Sequence, residues 1–157
     1  MQLSILIVNY NTEAFIENLL VDFKKQTLAA DQYEIIITNN VQNQTLDNVI
    51  DNNQEIKDLN IRIIPSDRNV GFGRAMNLAA DHAQGEHLLI ANPDLRMLQE
   101  DYLEQLLARS KQYQHYGAIT TRVLNDDQKD TSEYEFYEFK NNLGYENQTN
   151  WFCGALL

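Results

Sequence analysis

Leu3-Ser4-Ile5-Leu6-Ile7-Val8-Asn9-Tyr10-Asn11-Thr12-Glu13 decides the architecture of this chain. Leu3 to Val8 is nearly continuous in apolar residues, three of them β-branched. That pattern predicts a strand covered on both faces, as in a parallel sheet. Asn11 and Thr12 then offer helix N-caps, with Glu13 in the first turn. Phe15, Ile16, Leu19, Leu20 and Phe23 follow at helical spacing. A buried strand running straight into an amphipathic helix is the first half of a βαβ unit.

The same alternation repeats along the chain. Glu34 to Thr38 carries Ile35, Ile36 and Ile37 and reads as a second buried strand. Thr45 to Asn52 reads as a short helix. Ile61, Ile63 and Ile64 make a third strand, ended by Pro65. Phe72 to Ala83 is Ala-rich and helical. His87 to Ala91 is a fourth strand, closed by Asn92-Pro93. Tyr102, Leu103, Leu106 and Leu107 mark another helix, and Ala118 to Val123 a fifth strand. Short links between alternating strands and helices predict an α/β fold with a mostly parallel sheet in three α/β/α layers. In such sheets ligands bind beyond the carboxyl ends of the strands. The residues to inspect are therefore Asn9 to Asn11, Asn39-Asn40, Pro65 to Gly73 and Asn92 to Asp94. From Asn125 the patterning weakens. Ser132 to Lys140 is rich in Tyr, Phe and Glu and suits a strand or a flap. The last seven residues, Trp151 to Leu157, turn apolar again.

Composition narrows the function. The chain has 157 residues, 43% hydrophobic and 22% charged, which suits a domain with its own core. Its net charge of −11 argues against nucleic acid or an anionic membrane surface as partner. A dianionic ligand stays compatible if a metal ion supplies positive charge; a solvated acidic surface explains the same number. The one cysteine, Cys153, excludes an internal disulfide framework. The start, Met1 to Ile5, shows no signal-peptide pattern, and no apolar run in the sequence is long enough to cross a membrane. The expected place is the cytoplasm, with a peripheral position at the inner membrane face left open.

Each strand end offers a chemical reading and a plainer one. Tyr10 can stack on a nucleobase, or simply pack beside a turn. Asn39 can bond a base edge, or serve loop geometry. Arg68 to Asn77, containing Gly71, Gly73 and Arg74, follows a strand and opens a helix, which favours an anion near its backbone N–H groups. It is not a dinucleotide fingerprint, since Met76 stands where the third glycine belongs, and no Walker-type lysine loop exists. Asp94 is a hard oxygen ligand suited to Mg²⁺ or Mn²⁺ together with substrate phosphates, or a cap after an Asn-Pro turn. His82, His87 and His115 show no metal-ligand spacing.

Taken together and in order, Leu3 to Asn11, Glu34 to Asn40, Asn69 to Asn77, Asn92-Pro93-Asp94 and Trp151 to Leu157 resemble family 2 glycosyltransferases of the GT-A fold, especially the bacterial rhamnosyltransferase-like branch. The resemblance extends over essentially the whole chain. It implies a nucleotide-sugar-binding domain over residues 1–157, incomplete at its C-terminal side, with 125–157 as an irregular, acceptor-side segment. It implies that Val8 and Tyr10 frame the nucleobase. Asn39 stands where the family usually has an aspartate that contacts the base. Gly71 and Arg74 would line the diphosphate. Asn92-Pro93-Asp94 occupies the place of the Asp-x-Asp motif, with Asn92 for the first aspartate and Asp94 as ligand for Mn²⁺ or Mg²⁺. The implied activity is inverting transfer of a sugar from a UDP- or dTDP-sugar to a glycan acceptor, in polysaccharide biosynthesis. The acidic general base is expected beyond Leu157, so residues 1–157 alone are expected not to complete transfer. A non-catalytic nucleotide-sugar-binding module is the competing reading. A nucleotidyltransferase is disfavoured, because Asn9 to Thr12 replaces the Gly-rich, basic turn it needs. A homodimer is left open.

Overall fold

The computed structural model describes residues 1–112, 118, 119 and 121. Among the described residues four strands and four helices alternate: β1 (Leu3–Asn9), α1 (Glu13–Lys24), β2 (Tyr33–Asn39), α2 (Thr45–Asn52), β3 (Ile61–Pro65), α3 (Phe72–Ala80), β4 (His87–Ile90) and α4 (Tyr102–Ser110). The strands form one parallel sheet in the order β3-β2-β1-β4. All seven residues of β1 and of β2 are buried, as a strand covered on both faces requires.

Side-chain alternation divides the core. Leu3, Ile5, Ile7, Tyr33, Ile35 and Ile37 point to one face, where Ile16, Leu19, Leu20 and Phe23 of α1, Leu46 of α2, and Leu103 and Leu107 of α4 cover them. Leu6, Val8 and Ile36 point to the other face, under Ala75, Met76 and Ala79 of α3. The three expected layers are thus present. The connectivity explains the split. The chain steps outward from β1 to β3 with α1 and α2 on one face. It then returns across the sheet to β4, and a right-handed crossover in the reverse direction puts α3 on the opposite face.

At the amino ends of the strands a buried polar cluster pins the link between α3 and β4. The Glu34 carboxylate accepts from Ser4 Oγ at 2.7 Å, from the Gln84 N–H at 2.7 Å and from Arg62 Nη2 at 3.3 Å. Ser4 Oγ in turn accepts from the Gly85 N–H at 2.8 Å. These bonds explain why α3 stops at Ala80 although its composition extends to Ala83. The backbone beyond Ala80 is turned toward Glu34 and Ser4. Gly85 lies so close to β1 that a Cβ there would sit 2.5 Å from the Ser4 nitrogen.

Of the fifth expected strand, Ala118, Ile119 and Thr121 carry no strand assignment, and the rest lies outside the described residues. Segment 125–157, including Ser132 to Lys140 and Trp151 to Leu157, also lies outside them. Among the described residues no helix is long and apolar enough to cross a membrane.

Gly85→Ala should lower unfolding stability by about 1–3 kcal/mol, as overpacking against backbone does. Gly73→Ala, in α3 with open space around it, should leave stability unchanged or raise it by up to about 1 kcal/mol. Urea unfolding of both variants checks the pair.

Candidate functional site

The register gives the carboxyl edge its shape. Asn9 of β1 is level with Asn39 of β2, which is level with Pro65 of β3. β4 ends lower, with Ile90 opposite Leu6. Ile7, Val8 and Asn9 therefore run on past β4 by three residues, about 10 Å. The strand order reverses beside β1, so this step marks the crevice where doubly wound sheets bind ligands. Val8 is buried in its wall, and Tyr10, just past it, is 53% exposed. Asn92, Pro93 and Asp94 follow the end of β4. The N-terminus of α3, with Gly71 and Arg74, follows the tip of β3. All seven residues singled out in the sequence thus lie along one edge of the sheet. Of them only Asn39 lines the open cavity of about 520 Å³ between the β2 and β3 tips, together with Val41, Asp47, Ile63, Pro65 and Asp67.

A set of side-chain amides ties these tips together. Asn9 is buried and saturated. Its Oδ1 accepts from the Thr12 N–H at 3.0 Å and from Thr12 Oγ1 at 2.9 Å, while its Nδ2 donates to Asn39 Oδ1 at 2.9 Å and to Glu13 at 3.1 Å. Thr12 does occupy the N-cap of α1, but its hydroxyl is spent on Asn9. Asn39 Nδ2 donates to the Asn43 carbonyl at 3.2 Å. The orientation of Asn39 is fixed at both ends by backbone groups: the Thr12 N–H sets Asn9, Asn9 sets Asn39, and the Asn43 carbonyl demands a donor. Asn40, also buried, donates to Asn69 Oδ1 at 3.0 Å and accepts from the Val70 N–H at 3.0 Å. Asn69 Oδ1 also accepts from the Gly71 N–H at 2.9 Å.

That bracing delivers the chain to α3 in an unusual conformation. Gly71, the N-cap, has φ 81° and ψ 161°, a region open only to glycine. The first helical N–H groups, those of Phe72, Gly73 and Arg74, have no intrahelical acceptor and favour an anion. Gly73 has open space around it, and Arg74 is exposed with no ion pair among the described residues.

Asp94 is exposed, and its carboxylate has no hydrogen bond or ion pair among the described residues. Two residues on, Arg96 is held by the buried Asp22 of α1 in a fork, Nε to Oδ2 at 2.6 Å and Nη2 to Oδ1 at 2.9 Å. Asp22 Oδ2 also accepts from the Met97 N–H at 3.1 Å. Burial pushes the Asp22 carboxyl up, but the Arg96 bonds, the Met97 N–H and nearby positive charge outweigh it and hold the group below 3.8. Sequence reading missed this pair, as it missed the Asn9 and Asn40 ties; no local spacing joins positions 74 residues apart.

Among the described residues no group of three His, Cys, Asp or Glu side chains could hold a metal by itself. A single unengaged carboxylate suits only a different mode, in which Mg²⁺ or Mn²⁺ would be held by that carboxylate together with ligand phosphates and water.

Solved structures share this architecture. TarS of S. aureus (residues 1–349) is 25% identical, with a TM-score of 0.63 over 71% of this chain and 33% of that one. TarS in complex with UDP-GlcNAc matches at 25% identity, a TM-score of 0.62, and 71% and 32% coverage. The mannosyltransferase PcManGT of Pyrobaculum calidifontis, in complex with GDP-Man and Mn²⁺, shares the fold at 18% identity, with a TM-score of 0.63 over 79% and 36% of the two chains. The chain spans about one third of the length of each of these. A comparison with curated proteins finds no match. The fold is that of GT-A glycosyltransferases. Residues 4–156 match the model of glycosyl transferase family 2, and the chain belongs to that family.

Two outcomes test the bracing. Asp22 has a folded-state pKa below its unfolded value, so its contribution is present above about pH 4 and lost as pH falls through the folded value. The stability gap between the protein and Asp22→Asn, read by urea unfolding, should therefore be widest near neutrality and narrow under acid. Asn39→Asp would set a carboxylate oxygen against the Asn43 carbonyl. It should cost about 1–3 kcal/mol at neutral pH, less in acid where a protonated Asp can donate.

Proposed function

We propose that this domain binds a nucleoside diphosphate sugar along the carboxyl edge of its sheet, as the donor site of a sugar transferase. The observation that carries the reading is a set of unengaged polar groups along that edge. An unengaged carboxylate, Asp94, follows the end of β4, and a glycine-opened helix start with free N–H groups follows β3, the two strands at opposite margins of the sheet. The first suits the divalent cation, and the second the phosphates, of a nucleoside diphosphate.

Each residue takes a part in this reading. The Phe72, Gly73 and Arg74 N–H groups and the Arg74 guanidinium receive phosphate oxygens. Asp94 would hold Mn²⁺ or Mg²⁺, with Asn92 beside it; when bound, the cation offsets the charge that grows on the departing diphosphate. Tyr10 and Val8 offer the nucleobase an aromatic face and an apolar wall.

Asn39 favours a pyrimidine of the uracil type. Its fixed orientation leaves one N–H and one oxygen lone pair unspent. Uracil and thymine present an acceptor beside a ring N–H, which matches that pair. The Watson–Crick edge of guanine presents two adjacent donors beside its carbonyl, which suits an aspartate better. UDP- or dTDP-sugars are thus the proposed donors. Transfer to a glycan hydroxyl with inversion needs an acidic base on the acceptor side. Residues 1–157 are proposed to bind donor without completing transfer. TarS, solved with UDP-GlcNAc, supports the reading from outside the chain.

Calorimetry with UDP and dTDP, in Mn²⁺ and in EDTA, tests it. Binding should require the metal, and Asp94→Ala should abolish it. Equal affinity in EDTA or in the variant would remove the metal role, and absence of nucleotide binding altogether would remove the donor site.

A further inference from the structure

The segment between β4 and α4, residues 91–101, contains no helix and only a single bridge residue, Ala91. Its one internal turn bond, from the Leu95 N–H to the Asn92 carbonyl, is long at 3.4 Å. What shapes it comes from α1 and the residues just after. Asp22 takes Arg96 and the Met97 N–H, as described. Gln26 Nε2 donates to the Gln99 carbonyl at 2.8 Å, and its Oε1 accepts from the Leu103 N–H at 3.0 Å. The Thr27 N–H donates to the Glu100 carbonyl at 2.8 Å.

These ties differ in reach. Gln26 and Thr27 act five or more residues beyond Asp94. Asp22 acts two residues beyond it, within about 7 Å of chain. Asp22 is 5% exposed and spends both oxygens on the loop. Burying a carboxylate carries a desolvation penalty, which the fork and the N–H bond offset without large surplus. An ion pair whose other member is exposed adds little stability. What the arrangement does supply is geometry. The planar guanidinium fork and the backbone bond together fix the rotamer of Arg96 and the path of the chain at Met97.

We infer that Asp22 is the positioning residue for Asp94: through Arg96 and the Met97 N–H it holds the turn that aims this carboxylate at the cation of a bound nucleoside diphosphate. The inference rests on the donor-site reading and adds a residue on the far side of the sheet from α3. Asp22 touches no ligand; it acts through the loop.

The test reads Mn²⁺ affinity in the presence of saturating UDP, from the electron paramagnetic resonance signal of free Mn²⁺, beside thermal unfolding midpoints. Four proteins are compared: the unmodified chain, Asp22→Asn, Arg96→Lys and Gln26→Leu. Loss of a group that orients a metal ligand weakens metal binding about tenfold or more. That loss is expected for Asp22→Asn. Arg96→Lys keeps the charge but not the fork and should show a smaller loss. Gln26→Leu should lower the unfolding midpoint while leaving Mn²⁺ affinity within about twofold. If Asp22→Asn and Arg96→Lys fall with Gln26→Leu, losing stability and not affinity, Asp22 is a fold residue only and the inference is overturned. If Asp22→Asn does not fold, Arg96→Lys alone decides. If the unmodified chain binds UDP without Mn²⁺, the inference falls and donor binding stands. If it binds neither, both fall.

Discussion

The seven-residue parallel pairing of β1 with β2 is the constraint on which the rest of this structure depends. Both strands are buried along their whole length, so their backbone groups must be satisfied by each other and by β3 and β4. Once that register is set, Asn9 faces Asn39 and the amide ties at the strand tips follow. The same register aligns Ser4 with Glu34 at the opposite end and lets a buried carboxylate collect the link into β4. A slip of one residue would turn Ile5 and Ile7 away from α1 and put Ser4 in their place. The pairing is thus specified by burial on two faces and by polar partners at both ends.

The crevice follows from the same order of strands. β1 is flanked by β2 and β4 because the chain steps outward and then crosses back. β4 ends early against β1, and the turn carrying Asp94 begins beside the overhang. The amino edge of the sheet is closed by bonds among Ser4, Glu34, Arg62, Gln84 and Gly85. The carboxyl edge keeps exposed side chains with little to do in folding: Tyr10, Arg74 and Asp94. That contrast separates the end whose polar groups are spent on the fold from the end where the proposed ligand would sit.

Much of this was legible in the chain itself. The apolar runs at Leu3, Glu34, Ile61 and His87 became strands within a residue or two of their expected bounds, because a buried parallel strand has no room for a polar period. The helices after Thr12 and at Thr45 and Tyr102 were visible from their spacing. The strand-end residues Tyr10, Asn39, Gly71 and Asp94 could be placed on one edge because a parallel sheet sends every strand tip the same way. The early end of α3 was hidden, since what stops it is Glu34, fifty positions away from Gln84. The Asp22–Arg96 fork was hidden for the same reason. Helical spacing marks Asp22 as an ordinary polar position near the end of α1, and only the packed loop reveals that it points inward.

The ties between the strand tips are almost all carboxamides: Asn9, Asn39, Asn40 and Asn69, with Glu13 as a charged neighbour. A carboxamide neither gains nor loses a proton across the range in which proteins operate, and its bonds are little weakened by dissolved salt. The amide ties of the edge therefore carry no titrating group of their own. Charge enters the bracing at two places only among the described residues, Glu13 under Asn9 and the Asp22–Arg96 fork behind the turn of Asp94.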